Sequence, residues 1–481
     1  MAKKLVYDIH DKPKFGNLLI FALQQVLAIL AATIAVPTII GLPTQIPAAI
    51  LGAGIGTLVY QLFTKFKSPV FLGSSFAFLS SLFVALAYGY CGILLGSVVA
   101  GLVYVVIALI IKLVGTKWVD KLMPPVIIGP TVTIIGLSLA GSAMGDIVKA
   151  NADAVNGGYN LIGLLCGFIT FLTVVICSTQ KKFTMPKLIP FILGILAGYV
   201  AASVFTVIGL VANIEYLQII NWDPVVNNFV DADGAFKGVQ AFFSLPKISL
   251  VAAINELVNG TLTSDILAAN PGAKLIDMGG AVEVIVAFLP VALVVFAEHI
   301  ADHKNLSSII DRDLIKDPGL SNTLLGDGVG SIMGTAFGIC PNTTYGESVG
   351  CVAITGNASV ITITVTAFMC IILSFISPLM ALLQTIPSCV MGGVCLTLYG
   401  FIAVSGLKMF KDLDLNDNKN LFVVSSILIA GIGGLSIQIP YALAENGAVA
   451  KTIQVTSIAT ALILGIITNA VLSKFDKKEE K

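Results

Sequence analysis

PVALVVFAEHIADHKN, residues 290–305, decides how this sequence is read. Eight positions without a charge, Pro290 to Ala297, run straight into Glu298, His299, Asp302 and His303. Two of the chain's three histidines stand here. If the run crosses a bilayer, a central carboxylate costs about 2.5–3.5 kcal/mol. It is tolerated only where it faces a wet cavity, finds a partner or is protonated. Asp302 follows Glu298 at i+4, so the two carboxyls share one helix face, a turn apart. One can bind a substrate while the other hands on a proton. His299 and His303 repeat that spacing on a face rotated by about 100°. His299 is expected to hydrogen-bond behind the site, and His303 and Lys304 to reach the cytoplasmic surface.

The rest of the chain supports the membrane reading. Of 481 residues, 57% are hydrophobic and 11% charged, with mean hydropathy +0.97. Soluble chains carry about 25% charge. Apolar stretches of about 18 residues recur from end to end, each long enough to span a hydrocarbon core. A polytopic membrane protein follows. The polar start, MAKKLVYDIHDKPKFG, carries no cleavable signal pattern. The eight cysteines lie apart in apolar segments and are read as small buried hydrophobes. Zero net charge carries no partner information, but 26 lysines against a single arginine, Arg312, argue against a surface built to grip sulfate, phosphate or nucleic acid, and no nucleic-acid partner is expected. No metal, cofactor or enzymatic nucleophile–base pair is expected, and the chain is read as a non-enzyme.

Fourteen segments are expected, with cores at 17–40, 48–63, 70–86, 91–112, 124–144, 159–178, 188–211, 281–301, 322–338, 342–357, 360–383, 386–407, 421–437 and 452–473. With a cytoplasmic N-terminus, 22 of the 27 basic residues fall inside, Lys3, Lys4 and Lys481 among them. That bias satisfies the positive-inside rule with both termini cytoplasmic. The stretch 212–280 is placed outside, with an amphipathic helix near 248–259. It divides the chain into two sets of seven spans of opposite topology, an inverted repeat.

Two polar breaks occupy matching places in the halves. LGSSFAF (72–78) opens the third segment and PNTTYGES (341–348) the tenth. Gln25 to Phe76 is 51 residues and Glu298 to Glu347 is 49, consistent with a duplicated unit. Pro341 disfavours helix just before it. Asn342, Thr343 and Thr344 can satisfy freed backbone groups. Tyr345 offers an aromatic face, Gly346 lets a ligand approach the backbone, and Glu347 starts a helix whose dipole favours a carboxylate. Acceptor carboxylates, backbone donors and an aromatic face fit a planar, uncharged heterocycle.

At these residues the sequence resembles the nucleobase–ascorbate transporter family, its uracil permease branch closely. The resemblance runs through LQQVLAILAATIAVP (23–37), YQLFTKFKSPVFLGSSFAF (60–78), FAEHI (296–300), IKDPGL (315–320), PNTTYGESVG (341–350), AIT (353–355) and VMGGV (390–394). It implies an all-α polytopic membrane fold of fourteen segments in two inverted repeats of seven, with short extended strands opening segments 3 and 10. The implied division is a tail (1–16), a core domain (17–114 and 281–384), a gate domain (115–211 and 385–473), the loop 212–280 and a C-terminal tail (474–481). By the same resemblance Glu298 and Glu347 hydrogen-bond the base, Phe76 and Gly346 contribute backbone contacts, and Ala32 and Tyr345 line the pocket. Asp302, Glu298 and His299 are the proton-coupling candidates. The implied activity is proton-coupled uracil uptake across the cell membrane by an elevator-like shift, in a homodimer joined through the gate domain. Xanthine or urate symport is the alternative, ahead of a sulfate-permease-like anion exchanger or a cation channel. Two positions depart from relatives: Asp302 stands where some uracil permeases have His, and Gln25 where many have His.

Overall fold

A computed structural model gives the fold for residues 5–149, 159–182, 186–187, 189–231, 233–443 and 449–479. Lys3, Lys4 and Lys481 of the charge bias lie outside the described residues. The first half runs α1 (Phe15–Ile39), α2 (Ile46–Phe63), β1 (Leu72–Ser74), α3 (Leu79–Leu86), α4 (Gly89–Val114), α5 (Lys117–Leu122), α6 (Pro125–Ser138), α7 (Ala140–Ile147), α8 (Leu161–Thr179) and α9 (Pro190–Ala212). The connecting stretch holds α10 (Asp223–Phe229), α11 (Ser249–Asn259) and α12 (Ser264–Ala269). The second half runs α13 (Met278–Ile310), α14 (Leu320–Phe337), β2 (Asn342–Thr344), α15 (Gly346–Thr355), α16 (Val360–Ser374), α17 (Ser377–Gln384), α18 (Ser388–Lys408), α19 (Asn418–Ile432), β3 (Ile437–Leu443), β4 (Val449–Val455) and α20 (Ser457–Glu479). Among the described residues nine helices are long and apolar enough to cross a membrane, and α16 and α19 are shorter apolar helices.

The helices sort into two packed groups. In one, α1, α2 and α4 pack with α13, α14 and α16; in the other, α6, α8 and α9 pack with α18, α19 and α20. Pairings in one half have counterparts in the other: α2 on α16 beside α14 on α4, and α8 on α9 beside α19 on α20. At the centre of the first group α2 crosses α14 at backbone distance. A Cβ on Gly52 would lie 2.2 Å from the Gly334 carbonyl oxygen, so only glycine permits the approach.

The expected segments 421–437 and 452–473 each overrun a helix. α19 stops at Ile432 and α20 starts at Ser457; between them β3 and β4 pair as an antiparallel hairpin. IQIPYAL and VAKTIQV alternate in part with period two, which favours strand over helix. The eighth segment is the opposite case. Asp277 caps α13 by accepting a hydrogen bond from Gly280 N, and the helix continues for 33 residues to Asp311, a left-handed residue at φ 54°. The polar cluster 298–303 therefore sits well inside the helix, away from its end.

The stretch 212–280 is tied to the bundle end opposite the N-terminal tail. Glu256 accepts from Tyr90 N at 2.9 Å, Ser249 Oγ donates to the Gly338 carbonyl, and Lys274 N donates to Ala87 O at 2.9 Å. Asp265 accepts from Tyr90 OH at 2.7 Å and Gln45 Nε2 at 3.0 Å and pairs with Lys247 at 2.8 Å. Burial acts to raise the Asp265 carboxyl, but bonds from Lys247, Tyr90 and Thr263 outweigh it and hold it at about 2. At the other end the N-terminal tail is a strap. Val6 N and Tyr7 N donate to Gly356 O at 2.8 and 3.2 Å, Val360 N donates to Ile9 O at 3.0 Å, and Arg312 pairs with Asp8.

Candidate functional site

The site begins with a local failure of helix. Neither LGSS nor PNTT continues one, and inside a membrane their backbone groups must be satisfied by protein. They satisfy each other: β1 and β2 pair antiparallel, with Leu72 opposite Thr344, Gly73 opposite Thr343 and Ser74 opposite Asn342. Ser75 N→Pro341 O at 2.9 Å and Tyr345 N→Phe71 O at 3.1 Å extend the ladder. Thr57 Oγ1 accepts from Leu72 N at 2.9 Å, and Ser331 Oγ accepts from Asn342 N at 3.0 Å. The two irregular segments, about 270 residues apart in sequence, thus meet in the interior of the first helix group.

This crossing aims the candidate residues. Tyr345 lays its ring over Gly73, where a Cβ would lie 2.3 Å from ring carbons, and its OH donates to Ser74 O at 3.1 Å. Phe76 is buried and meets Tyr399 of α18 edge-to-face, ring centroids 5.5 Å apart. Tyr399 belongs to the second helix group, so this contact joins the two. Gly346 is exposed among buried neighbours, and a side chain there would meet nothing within 4 Å. Glu347 opens α15 behind it, half-buried, at the positive end of the helix dipole.

α13 supplies the facing wall. Asp302 is buried and accepts from Thr344 Oγ1 at 2.6 Å, which fixes the carboxyl to β2. Glu298 is half-buried, lies within electrostatic reach of Asp302 and Glu347, and has an oxygen, Oε2, without a hydrogen-bond partner in the chain. Crowded acids in a low dielectric repel strongly unless protons or donors offset the charge. Gln25 Nε2 reaches Ser348 O at 3.4 Å, which sets α1 against the first turn of α15. Ala32 is fully buried on α1, beside Thr33, whose hydroxyl lies 3.4 Å from Tyr345 OH.

The histidine face of α13 corrects one expectation. His303, expected at the cytoplasmic surface, is fully buried. The 33-residue length of α13 puts it under the bundle, and a hydrogen-bond chain holds it there. His303 Nδ1 donates to His299 O at 2.8 Å, so Nε2 accepts from Tyr60 OH at 2.8 Å; Tyr60 OH lies 2.8 Å from Ser68 Oγ. His299 is also fully buried, with Nδ1 2.7 Å from Asp327 and Nε2 3.0 Å from Thr323 Oγ1. The reading of the sequence missed Asp327, Tyr60 and Tyr399. Asp327 could have been found as the one acid within the apolar segment 322–338. Nothing local marks the other two.

The comparisons with known proteins agree with one another. The Xan_ur_permease model, described as "Permease family", matches residues 16–439. A uracil permease of Bacillus caldolyticus is 34% identical over 472 residues, covering 98% of this chain and 95% of that protein. A uracil permease of Bacillus subtilis (strain 168) is also 34% identical, covering 100% and 97%. Among solved structures, the transmembrane domain of a cyanobacterium bicarbonate transporter, BicA, has a TM-score of 0.54 at 14% identity, covering 96% of this chain and all of that one. That likeness bears on the fold alone.

Proposed function

The chain belongs to the nucleobase–ascorbate transporter family, a family of permeases and not of enzymes, and from that premise we propose that it takes up uracil together with protons. One observation carries the substrate reading: two half-buried carboxylates, Glu298 and Glu347, flank the exposed backbone at Gly346 where the strand crossing meets α13. A pyrimidine's two N–H groups match two acceptor carboxylates, and its carbonyls match backbone donors at Phe76 and Gly346. Tyr345 and Phe76 supply flat apolar walls, and Ala32 completes the proposed lining. The uracil permeases among the relatives support this substrate over xanthine or urate.

Asp302 and Glu298 are the proposed proton carriers. Asp302 is bound to Thr344 at the end of β2, the strand that leads into Tyr345 and Glu347, so a change in its protonation alters a hydrogen bond within the site itself. His299 makes its bonds to Asp327 and Thr323, and its part in proton handling would pass through Asp327. The two helix groups are the proposed core and gate, fourteen segments in two inverted repeats, with both termini cytoplasmic. Transport would move core against gate in an elevator-like step, with Phe76 sliding on Tyr399, and the gate group would form a homodimer contact. By linkage, substrate must favour one facing state in a proton-dependent way. An anion exchanger, which the fold of BicA brings to mind, fits the site poorly, because Glu298 and Glu347 would repel an anion.

The test is labelled uracil uptake into proteoliposomes under an imposed proton gradient. Saturable accumulation that collapses with a protonophore supports the reading. Uptake indifferent to the gradient removes the proton role, and uptake competed only by xanthine moves the substrate to a purine.

A further inference from the structure

α11, Ser249–Asn259, presents three different faces. At about 100° per residue, Ser249, Ala252, Ala253 and Glu256 fall in one arc. All four are buried, and three of them fasten the helix: Ser249 to Gly338 O, Ala253 O to Cys91 Sγ at 3.4 Å, and Glu256 to Tyr90 N at 2.9 Å. Leu250, Val251, Ile254, Leu257 and Val258 fall in the next arc, about 120° wide, and are 45–77% exposed. Asn255 and Asn259, both exposed, fill the remaining arc, between the aliphatic face and the protein. A helix in water against a protein needs two faces, one inward and one polar. A third, wholly aliphatic face calls for a third medium.

Its position says which medium. α11 lies against the first turn of α4 and the end of α14, at the level where membrane-crossing helices begin and end. α4 itself shows outward-facing Leu102, Val106, Leu109 and Leu113 at helical spacing, a lipid-facing stripe. Phe242, Phe243 and Leu245, just before α11, are also exposed. A helix of eleven residues is about 16 Å long, and one third of its surface is far below the roughly 800 Å² per partner of a stable protein interface. A second copy of the chain would find too little to hold.

We propose that α11 is an interfacial helix whose aliphatic arc sits in the headgroup–acyl boundary of the bilayer, with Asn255 and Asn259 turned to water. Its ties are to α4 and α14 of the site-bearing group. The helix carries no lysine or arginine, so the contact requires apolar burial and no anionic lipid.

The test uses the full chain in phosphatidylcholine vesicles with Trp118 and Trp222, its two tryptophans, replaced by Phe. One reporter is then introduced by Leu257→Trp, Val258→Trp or Asn255→Trp. The expected result is blue-shifted emission at 257 and 258, quenched by nitroxide lipids labelled near the headgroup more than by those labelled at the chain end. Acrylamide should quench the reporter at 255 and spare the other two. Acrylamide quenching of all three, without lipid quenching, would overturn the proposal in favour of a solvated helix. Quenching of 257 and 258 by neither agent would overturn it in favour of a protein contact. Two reporters on one arc keep the reading intact if either substitution prevents folding.

Discussion

Two faces of the same helical turn of α13 behave differently. His299 and His303 are fully buried and each ring nitrogen has a partner: Asp327, Thr323, the His299 carbonyl and Tyr60. Glu298, one position away, keeps an oxygen without a partner, and Asp302 holds one bond, to Thr344. A satisfied buried polar group rigidifies its surroundings, whereas an unsatisfied one is costly to keep. The histidine bonds hold α13 against α2 and α14, and the proposed exchange with substrate and proton rests on the carboxyl face, which keeps an oxygen without a partner.

That contrast can be broken most sharply at the carboxyls. Glu298→Gln or Glu347→Gln removes a charged acceptor worth about 1.5–3 kcal/mol, so uracil affinity should fall roughly 10- to 150-fold with the thermal midpoint little changed. Binding to the purified protein reads this, and unchanged affinity in both variants would place the base elsewhere. Asp302→Asn should come next: accumulation driven by a proton gradient is lost while uracil counterflow persists. On the histidine face, Tyr60→Phe leaves His303 Nε2 without its donor and should cost about 1–3 kcal/mol of stability. Uracil affinity should hold, and a loss of affinity without destabilisation would erase the distinction between the faces.

The smallest effect is expected far from α13. Asp265→Asn breaks the pair with half-exposed Lys247 and should cost within about 1 kcal/mol after solvent screening. The folded carboxyl is held at about 2, below its ordinary value, so the contribution is complete above the ordinary carboxylate range and fades as pH falls towards 2. Thermal midpoints of native and variant protein should therefore converge on acidification from pH 5.

Much of this was readable in advance, and what was not has physical reasons. The long apolar helices follow from composition, because a bilayer demands runs of about 20 apolar residues. The expected amphipathic helix near 248–259 corresponds to α11, Ser249–Asn259. Glu298 stood out because an intramembrane acid is expensive, and Glu347 because it follows the polar break PNTTYG at a helix start. The depth of His303 was misread, since apolar periodicity ends at Asp302 while the helix runs on to Ile310. Tyr60 and Tyr399 look like ordinary core aromatics, and only packing between distant segments gives them partners. The hairpin β3–β4 was absorbed into flanking apolar runs, where short strand and helix patterns are hard to separate.

The pairing of Leu72 with Thr344 also imposes an order on biosynthesis. At about 5–20 residues per second, the ribosome needs on the order of 15–55 s to travel from one strand to the other. Throughout that interval β1 is made without β2; Thr57 can bond Leu72, but the backbone groups of Gly73 and Ser74 cannot be left bare to hydrocarbon. The first half of the chain, expressed alone, should therefore stay bound to the insertion machinery or a chaperone. The nascent permease becomes independent of such help only when PNTT arrives.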